Sequence, residues 1–340
     1  MPDSAPVSFR GYFVRISNGM ALGLFSSLII GLILRQAGAL LSWQPLELFG
    51  RVAQLLMGPA IGAGVAFAVG APPLGIFSSL AAGAVGAGTF SLTAAGVSVG
   101  IGEPVGAFVA SWAGAEFSRR IAGKTGVDIV IVPAGTIIAG GAAGLLAGPF
   151  ISRFMYWLGS AINIATTLHP IPMGIILSVV MGIVLTLPIS SAALAISLGL
   201  SGLAAGASTV GCCCQMIGFA VSSFRENGIG GLLAQGIGTS MIQIPNIIRN
   251  PWIWIPPTAA SAVLGPVSTV IFRMENSKVG AGMGTSGLVG QVSTLEVMGT
   301  SAWTGILLLH FILPAVLSLL FSEMLRRTGH IKPGDMKLEQ

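Results

Sequence analysis

The sequence predicts an all-α, polytopic membrane protein of about ten transmembrane helices, some of them broken or re-entrant. Three observations lead there. Only 8% of the 340 residues are charged, while 53% are hydrophobic. Mean hydropathy is +0.89. Gly occupies 49 positions. A soluble domain carries about 25% charged residues because its surface faces water. This chain has too few for such a surface, so its solvent is the bilayer. At about 20 residues per span, the length suits roughly ten crossings. The glycines add that helices pack closely, break within the membrane, or both.

The apolar runs follow in order. A polar N-terminal tail, 1–16, holds Arg10 and Arg15 and precedes the first run, 17–37. No small-residue cleavage site follows that run, so it reads as a retained span rather than a signal peptide. Runs 46–69 and 73–95 come next. Run 104–117 is short and ends before Arg119 and Arg120; 128–146 and 150–167 follow. The segment His169-Pro170-Ile171-Pro172 interrupts the chain, its prolines breaking the helix and freeing carbonyls. Runs 173–189 and 190–210 then succeed each other with almost no polar gap. Beyond Gly211 the pieces 216–223, 230–248, 254–272 and 286–299 are short or Gly-broken, as half-helices and re-entrant segments are. Run 302–325 is a clean last span before the polar tail 326–340.

Orientation follows from the positive charges. Arg10 and Arg15, then Arg119, Arg120 and Lys124, then Arg326, Arg327, Lys332 and Lys337 flank the first, fourth and last runs. The positive-inside rule puts all three groups, and so both termini, in the cytoplasm. The region 17–325 reads as a single membrane domain with a weak internal repeat. Leu-Ala-Ala-Gly-Ala at 80–84 returns at 203–207, and Val132-Pro133 returns at the same spacing as Ile255-Pro256. Two accounts stand: a duplication of 17–150 as 151–278, or coincidence in an Ala/Gly-rich chain. Transporters are often built from such repeats, with substrate at their interface.

Several function classes fall away. The basic residues are scattered, with a net charge of +5 and no aromatic-interleaved stripe, so nucleic acid is not a partner. Cys212, Cys213 and Cys214 are consecutive within apolar sequence, which suits small-residue packing and gives no zinc site or disulfide framework. The three His share no spacing, so no metal site is expected. No nucleophile–base pair stands out, so the chain alone is not expected to be an enzyme or to need a cofactor.

The sharpest local feature is Gly280 to Gln291, which contains Gly282-x-Gly284-x-x-Gly287. It follows the polar stretch 273–278 rather than a strand, and no βαβ unit surrounds it, so it is not a dinucleotide fingerprint. Gly-x-Gly-Thr-Ser occurs twice, at 236–240 and at 282–286. Two readings stand for it. One is an unwound segment at membrane depth, with Gly282, Gly284 and Gly287 admitting the backbone and Thr285, Ser286 and Gln291 supplying polar groups to a solute. The other is a tight loop at the membrane face.

Further candidates are lone polar groups in apolar sequence. Glu103, beside Pro104, and Glu296 are carboxylates whose burial in a bilayer costs about 3 kcal/mol, so they carry a function or lie at headgroup level. His169 can donate to and accept from a hydroxylated substrate, or lie in an interfacial turn. Gln215 is an amide that needs partners, supplied by the protein or by a cavity it faces; His310 reads as a core His bonded to a carbonyl. Trp252 and Trp254 read as an aromatic belt, and Arg225-Glu226-Asn227 as a polar cap.

Four stretches carry a family resemblance: 102–108 (Gly-Glu-Pro-Val-Gly-Ala-Phe), 169–174 (His-Pro-Ile-Pro-Met-Gly), 224–228 (Phe-Arg-Glu-Asn-Gly) and 281–291. Together they resemble the small IIC-type proteins related to the sugar-translocating component of the bacterial phosphotransferase system, in the subgroup often labelled a toxin regulator. The resemblance spans about residues 15–325. It implies a helical domain in the bacterial inner membrane, a homodimer, and a polar site holding a sugar-like solute, with a His and a Glu near broken helices touching it. His169 and either Glu103 or Glu296 would take those parts. No IIA or IIB part is fused, so phosphoryl transfer would need separate partner proteins. The expected function is therefore a carrier of a small polar solute working by alternating access around Glu103, His169, Gln215, Thr285, Ser286, Gln291 and Glu296. A membrane sensor that binds a ligand without moving it, or a protein binding a lipid or fatty acid inside its fold, apart from the membrane lipid around it, are the alternatives.

Overall fold

Gly and Pro decide where the helices start, stop and touch. The computed structural model describes residues 9–93 and 96–338. It divides into two units, Met1–Arg153 and Phe154–Gln340. Both are helical; the described strands form a single antiparallel hairpin, Phe90–Thr93 with Gly96–Val99, which the sequence reading placed at the end of an apolar run.

In the first unit, Phe9–Leu24 continues through a π turn, Phe25–Ile29, into Ile30–Leu40. The helices Gln44–Leu55 and Met57–Val69 form one run bent by 53°. Pro73–Ala87 and Pro104–Ile121 each begin with Pro at the first helical position, where its missing N–H is no loss. The first of these stops at Gly88, whose left-handed φ of 68° lets the last carbonyls be capped. Close packing is literal: a Cβ added at Gly19 would strike the Gly64 carbonyl, and one at Gly64 the Gly19 carbonyl. Gly86 and Gly106 are related in the same way. Small residues let helix backbones meet where lipid offers no hydrophobic drive to associate.

The runs 128–146 and 150–167 are not separate. They form one helix, Asp128–Thr166, with Pro133 and Pro149 inside it. The chain is interrupted at His169 as expected, between Asp128–Thr166 and Pro170–Thr186; but Pro170 opens the second helix at its first turn, where proline is tolerated, and the His169 carbonyl is not free, since it accepts from Met173 N at 3.0 Å.

The second unit is built around Gly202–Ser222, a helix buried on nearly every side and made of Gly, Ala, Ser, Thr and Cys along most of its length. It packs against Pro170–Thr186, Ile255–Pro266 and Leu313–Arg327. The contacts are again glycine contacts: Gly211 lies on the Ser178 carbonyl, and Gly174 and Gly265 lie on each other's backbone. The expected run 190–210 is split, with Ser191–Ser197 ending before Gly199 and Gly202, both at positive φ. The expected run 230–248 is broken into Phe224–Leu233, a π turn Ala234–Gly238, a 3-10 turn Ser240–Gln243 and Ile244–Arg249. Among the described residues, five helices are long and apolar enough to cross a membrane, or six if the bent pair is one span. Pro73–Ala87 and Pro170–Thr186 are shorter apolar helices. The helical membrane class and its broken segments are as expected; beside these long helices, much of the apolar sequence lies in broken pieces, which a membrane tolerates where neighbours satisfy the freed backbone.

The C-terminal tail, read as a polar extension, is packed. Ile331 and Met336 are buried with Phe219, Ile247 and Ile253. Arg225-Glu226-Asn227 is its anchor rather than a simple cap. Arg326 pairs with Glu226 at 2.9 Å, Glu226 accepts from Met336 N at 2.9 Å, and Asn227 bonds Met336 O at 2.9 Å and Leu338 N at 2.8 Å. The Arg326 and Glu226 side chains are only 14% and 10% exposed. Removing one partner of a largely buried pair costs about 3–5 kcal/mol. Glu226→Ala should therefore lower the thermal midpoint in detergent by several degrees and open the tail to limited proteolysis near residue 331; an unchanged midpoint and cleavage pattern would refute the anchoring role.

Candidate functional site

The two copies of Gly-x-Gly-Thr-Ser meet. Thr285 Oγ1 donates to the Gly236 carbonyl, and Ser286 Oγ donates to the Gly238 carbonyl at 2.8 Å. Each copy is where a helix gives way: Gly236 and Gly238 lie in the π turn, and Thr285 precedes the short 3-10 turn Ser286–Leu288. Gly284 at φ 54° and Gly287 at φ 52° hold left-handed backbone that a Cβ would strain, and Leu288 follows at φ 60°. The loop then enters Val289–Met298.

The bed beneath the loop is the Cys triplet. Gly284 lies so close to Cys212 and Cys213 that an added Cβ would stand 2.8 Å from the Cys212 carbonyl carbon. The loop carbonyls are taken by neighbouring side chains: Gly282 O by Ser191 Oγ at 2.7 Å, Ala281 O by Ser208 Oγ, and Gly280 O by Thr209 Oγ1 at 3.4 Å. The reading of an unwound backbone open to solute is thus modified. These carbonyls are engaged within the protein, because a buried backbone group left unbonded is costly.

Gln291, one turn into the following helix, is different. Its Nε2 donates to His310 Nδ1 at 3.1 Å and approaches Cys213 Sγ at 3.5 Å. An amide nitrogen can only donate, so His310 Nδ1 is the acceptor and its proton sits on Nε2. Gln291 is 6% exposed, yet its Oε1 has no partner among the described residues. His310 is thus bonded to a side-chain amide and not to the carbonyl that the sequence suggested.

Gln215 is fully buried and fully engaged. Its Nε2 donates to Thr258 Oγ1 at 3.0 Å, while its Oε1 accepts from Trp254 Nε1 at 3.1 Å and lies 3.3 Å from Thr186 Oγ1. Thr186 Oγ1 also meets Ser240 Oγ at 2.9 Å. Ser240 is the last residue of the first Gly-x-Gly-Thr-Ser copy, so a polar path runs from Thr258 through Gln215, Thr186 and that copy to the second. Trp254 turns its N–H into this path rather than serving only in a belt.

The remaining candidates stand apart. His169 and Glu296 are exposed and do not join the cluster of Gln215, Gly282, Gly284, Thr285, Ser286, Gly287 and Gln291. Glu103 belongs to the first unit, half-buried at the start of Pro104–Ile121, its N–H bonded to the Ala87 carbonyl at 2.8 Å.

Sequence reasoning passed over three polar partners, Thr186, Thr258 and Asn276, and read Ser240 only as part of its motif. Asn276 is 1% exposed and its Nδ2 reaches Thr209 Oγ1 at 2.8 Å, Thr294 Oγ1 at 3.0 Å and Gly290 O at 3.1 Å, tying down the base of the loop. Its only signal was its place in the polar stretch 273–278 just before the loop.

With this geometry in place, comparison with known proteins gives one match: the family described as "Phosphotransferase system, EIIC" matches residues 14–338. No curated protein and no solved structure matches.

Proposed function

The chain belongs to the phosphotransferase system EIIC family, and from that membership we propose that it carries a small polyhydroxylated solute, a sugar or sugar alcohol, by alternating access. The family makes it a membrane component of sugar transport. The observation that carries the finer reading is the crossing of the two Gly-x-Gly-Thr-Ser copies beside a buried acceptor, Gln291 Oε1, that has no partner among the described residues. A buried acceptor left so costs about 1–3 kcal/mol. A solute hydroxyl is the natural donor for it, and the broken helices on either side are the kind of element that transporters use at their sites.

In this reading Gln291 and His310 meet the solute, and the Thr285 and Ser286 bonds hold the two broken segments together in one state of the cycle. His169 and Glu296 would reach the solute only in another state. Both termini are cytoplasmic, the membrane is the bacterial inner membrane, the working form is a homodimer, and any phosphoryl transfer uses separate phosphotransferase proteins. The test is a thermal-shift screen of the detergent-purified chain against hexoses, pentoses, hexitols and a fatty acid. Stabilisation by one hydroxylated class is expected. Stabilisation by the fatty acid alone would overturn the proposal and favour an apolar ligand.

A further inference from the structure

Away from the crossing of the two loops, a cavity of about 270 Å³ opens beside the polar end of Leu313–Arg327. Its polar lining includes Arg225, Ser322, Glu323 and Arg326. Phe224 and Leu319, 45% and 46% exposed, line its apolar side. Along the helix, exposed Val316, Leu319 and Leu320 give way to Glu323, Arg326 and Arg327, the change from apolar to charged that marks a bilayer boundary.

Ser322 is the informative residue. It is 2% exposed, and its hydroxyl has no partner among the described residues. A helical Ser normally bonds the carbonyl four residues back. Here that carbonyl, of Ser318, accepts from Ser222 Oγ at 3.4 Å. The Ser322 hydroxyl is left as a buried donor in the wall of a cavity, a destabilising feature unless a ligand takes it.

The charges beside it differ in what they have left to give. Arg326 is committed, to Glu226 at 2.9 Å and to the Ser222 carbonyl at 3.1 Å. Arg225 makes one bond, 3.2 Å from Nη1 to Glu323 Oε2, and the two side chains are 74% and 42% exposed. Both keep capacity for a ligand. A guanidinium and a hydroxyl suit a phosphate, and the adjacent carboxylate suits an ammonium that can donate hydrogen bonds. The apolar side suits a hydrocarbon chain.

We propose that this cavity binds the headgroup of phosphatidylethanolamine, with the phosphodiester on Arg225 and Ser322, the ammonium on Glu323, and one acyl chain along Phe224 and Leu319. The site is separate from the proposed solute site and does not depend on it.

The test is binding of dihexanoyl phosphatidylethanolamine to the full chain in detergent, read by native mass spectrometry. Ser322→Ala is the main variant. It removes a hydroxyl that has no partner among the described residues, so it should fold as the native chain does. Expected are one tightly held lipid in the native chain and about tenfold weaker binding in Ser322→Ala and in Arg225→Gln, the loss of one hydrogen bond to a charged group. Dihexanoyl phosphatidylcholine, whose quaternary ammonium cannot donate, should bind more weakly. Equal affinity of Ser322→Ala and the native chain would overturn the proposal. So would displacement of the lipid by inorganic phosphate at equal concentration, since the site would then be one for a free anion.

Discussion

Gly284→Ala is expected to damage the fold severely, out of proportion to the one carbon it adds. Gly284 sits at φ 54°, where a Cβ costs about 1–2 kcal/mol of strain. The new Cβ would stand 2.8 Å from the backbone and Cβ of Cys212 and 3.0 Å from Cys213 N. The helix carrying these residues is buried in the centre of its unit and has no room to retreat; overpacking such a core costs about 1–3 kcal/mol. Together they approach the low end of a whole domain's stability, about 5–15 kcal/mol. A glycine-to-alanine change at the first position of the other copy, Gly236, is the control. A Cβ at Gly236 would meet only Ala220 Cβ at 3.5 Å and Ile217 Cδ1 at 3.6 Å, ordinary contact distances. Size-exclusion yield and thermal midpoint should collapse for Gly284→Ala and hold for Gly236→Ala. Equal behaviour of the two would refute the described packing of the loop.

The second large effect concerns the crossing itself. Thr285→Val with Ser286→Ala removes both hydroxyls that reach the Gly236 and Gly238 carbonyls. Each buried carbonyl left without its donor costs about 1–3 kcal/mol. If these bonds hold one state of a transport cycle, the double variant loses most of its solute flux in liposomes while Thr285→Ser, which keeps the hydroxyl, retains it. Normal flux in the double variant would show that the crossing plays no part in transport.

Much of this fold was legible in the sequence because its solvent left a plain signature. Few charges and many glycines imply a helical membrane chain with close packing, and Pro73 and Pro104 begin helices where the apolar runs begin. The Gly-Thr-Ser repeat was legible as a motif but not as a contact. Nothing local tells Thr285 that its acceptor is Gly236, 49 positions away. Burial was equally hidden. Gln291 and Glu296 are polar residues of one helix, yet one is buried and the other exposed. The exact breaks were less legible, because hydropathy reads a continuous helix and a broken one alike when neighbouring side chains satisfy the break. The docked tail had as its signal a few apolar residues, Ile331 and Met336 among them, in polar sequence.

The account rests most heavily on Gln291. Replacing it with Leu removes an acceptor that has no partner among the described residues and also a bond to His310. The two effects on stability oppose each other, each worth about 1–3 kcal/mol. The decisive measurement pairs the thermal midpoint of Gln291→Leu with its affinity for the hexose or hexitol that stabilises the native chain. The account predicts a midpoint close to native and an affinity weakened by at least about tenfold. A native affinity in a normally folded Gln291→Leu chain would contradict it.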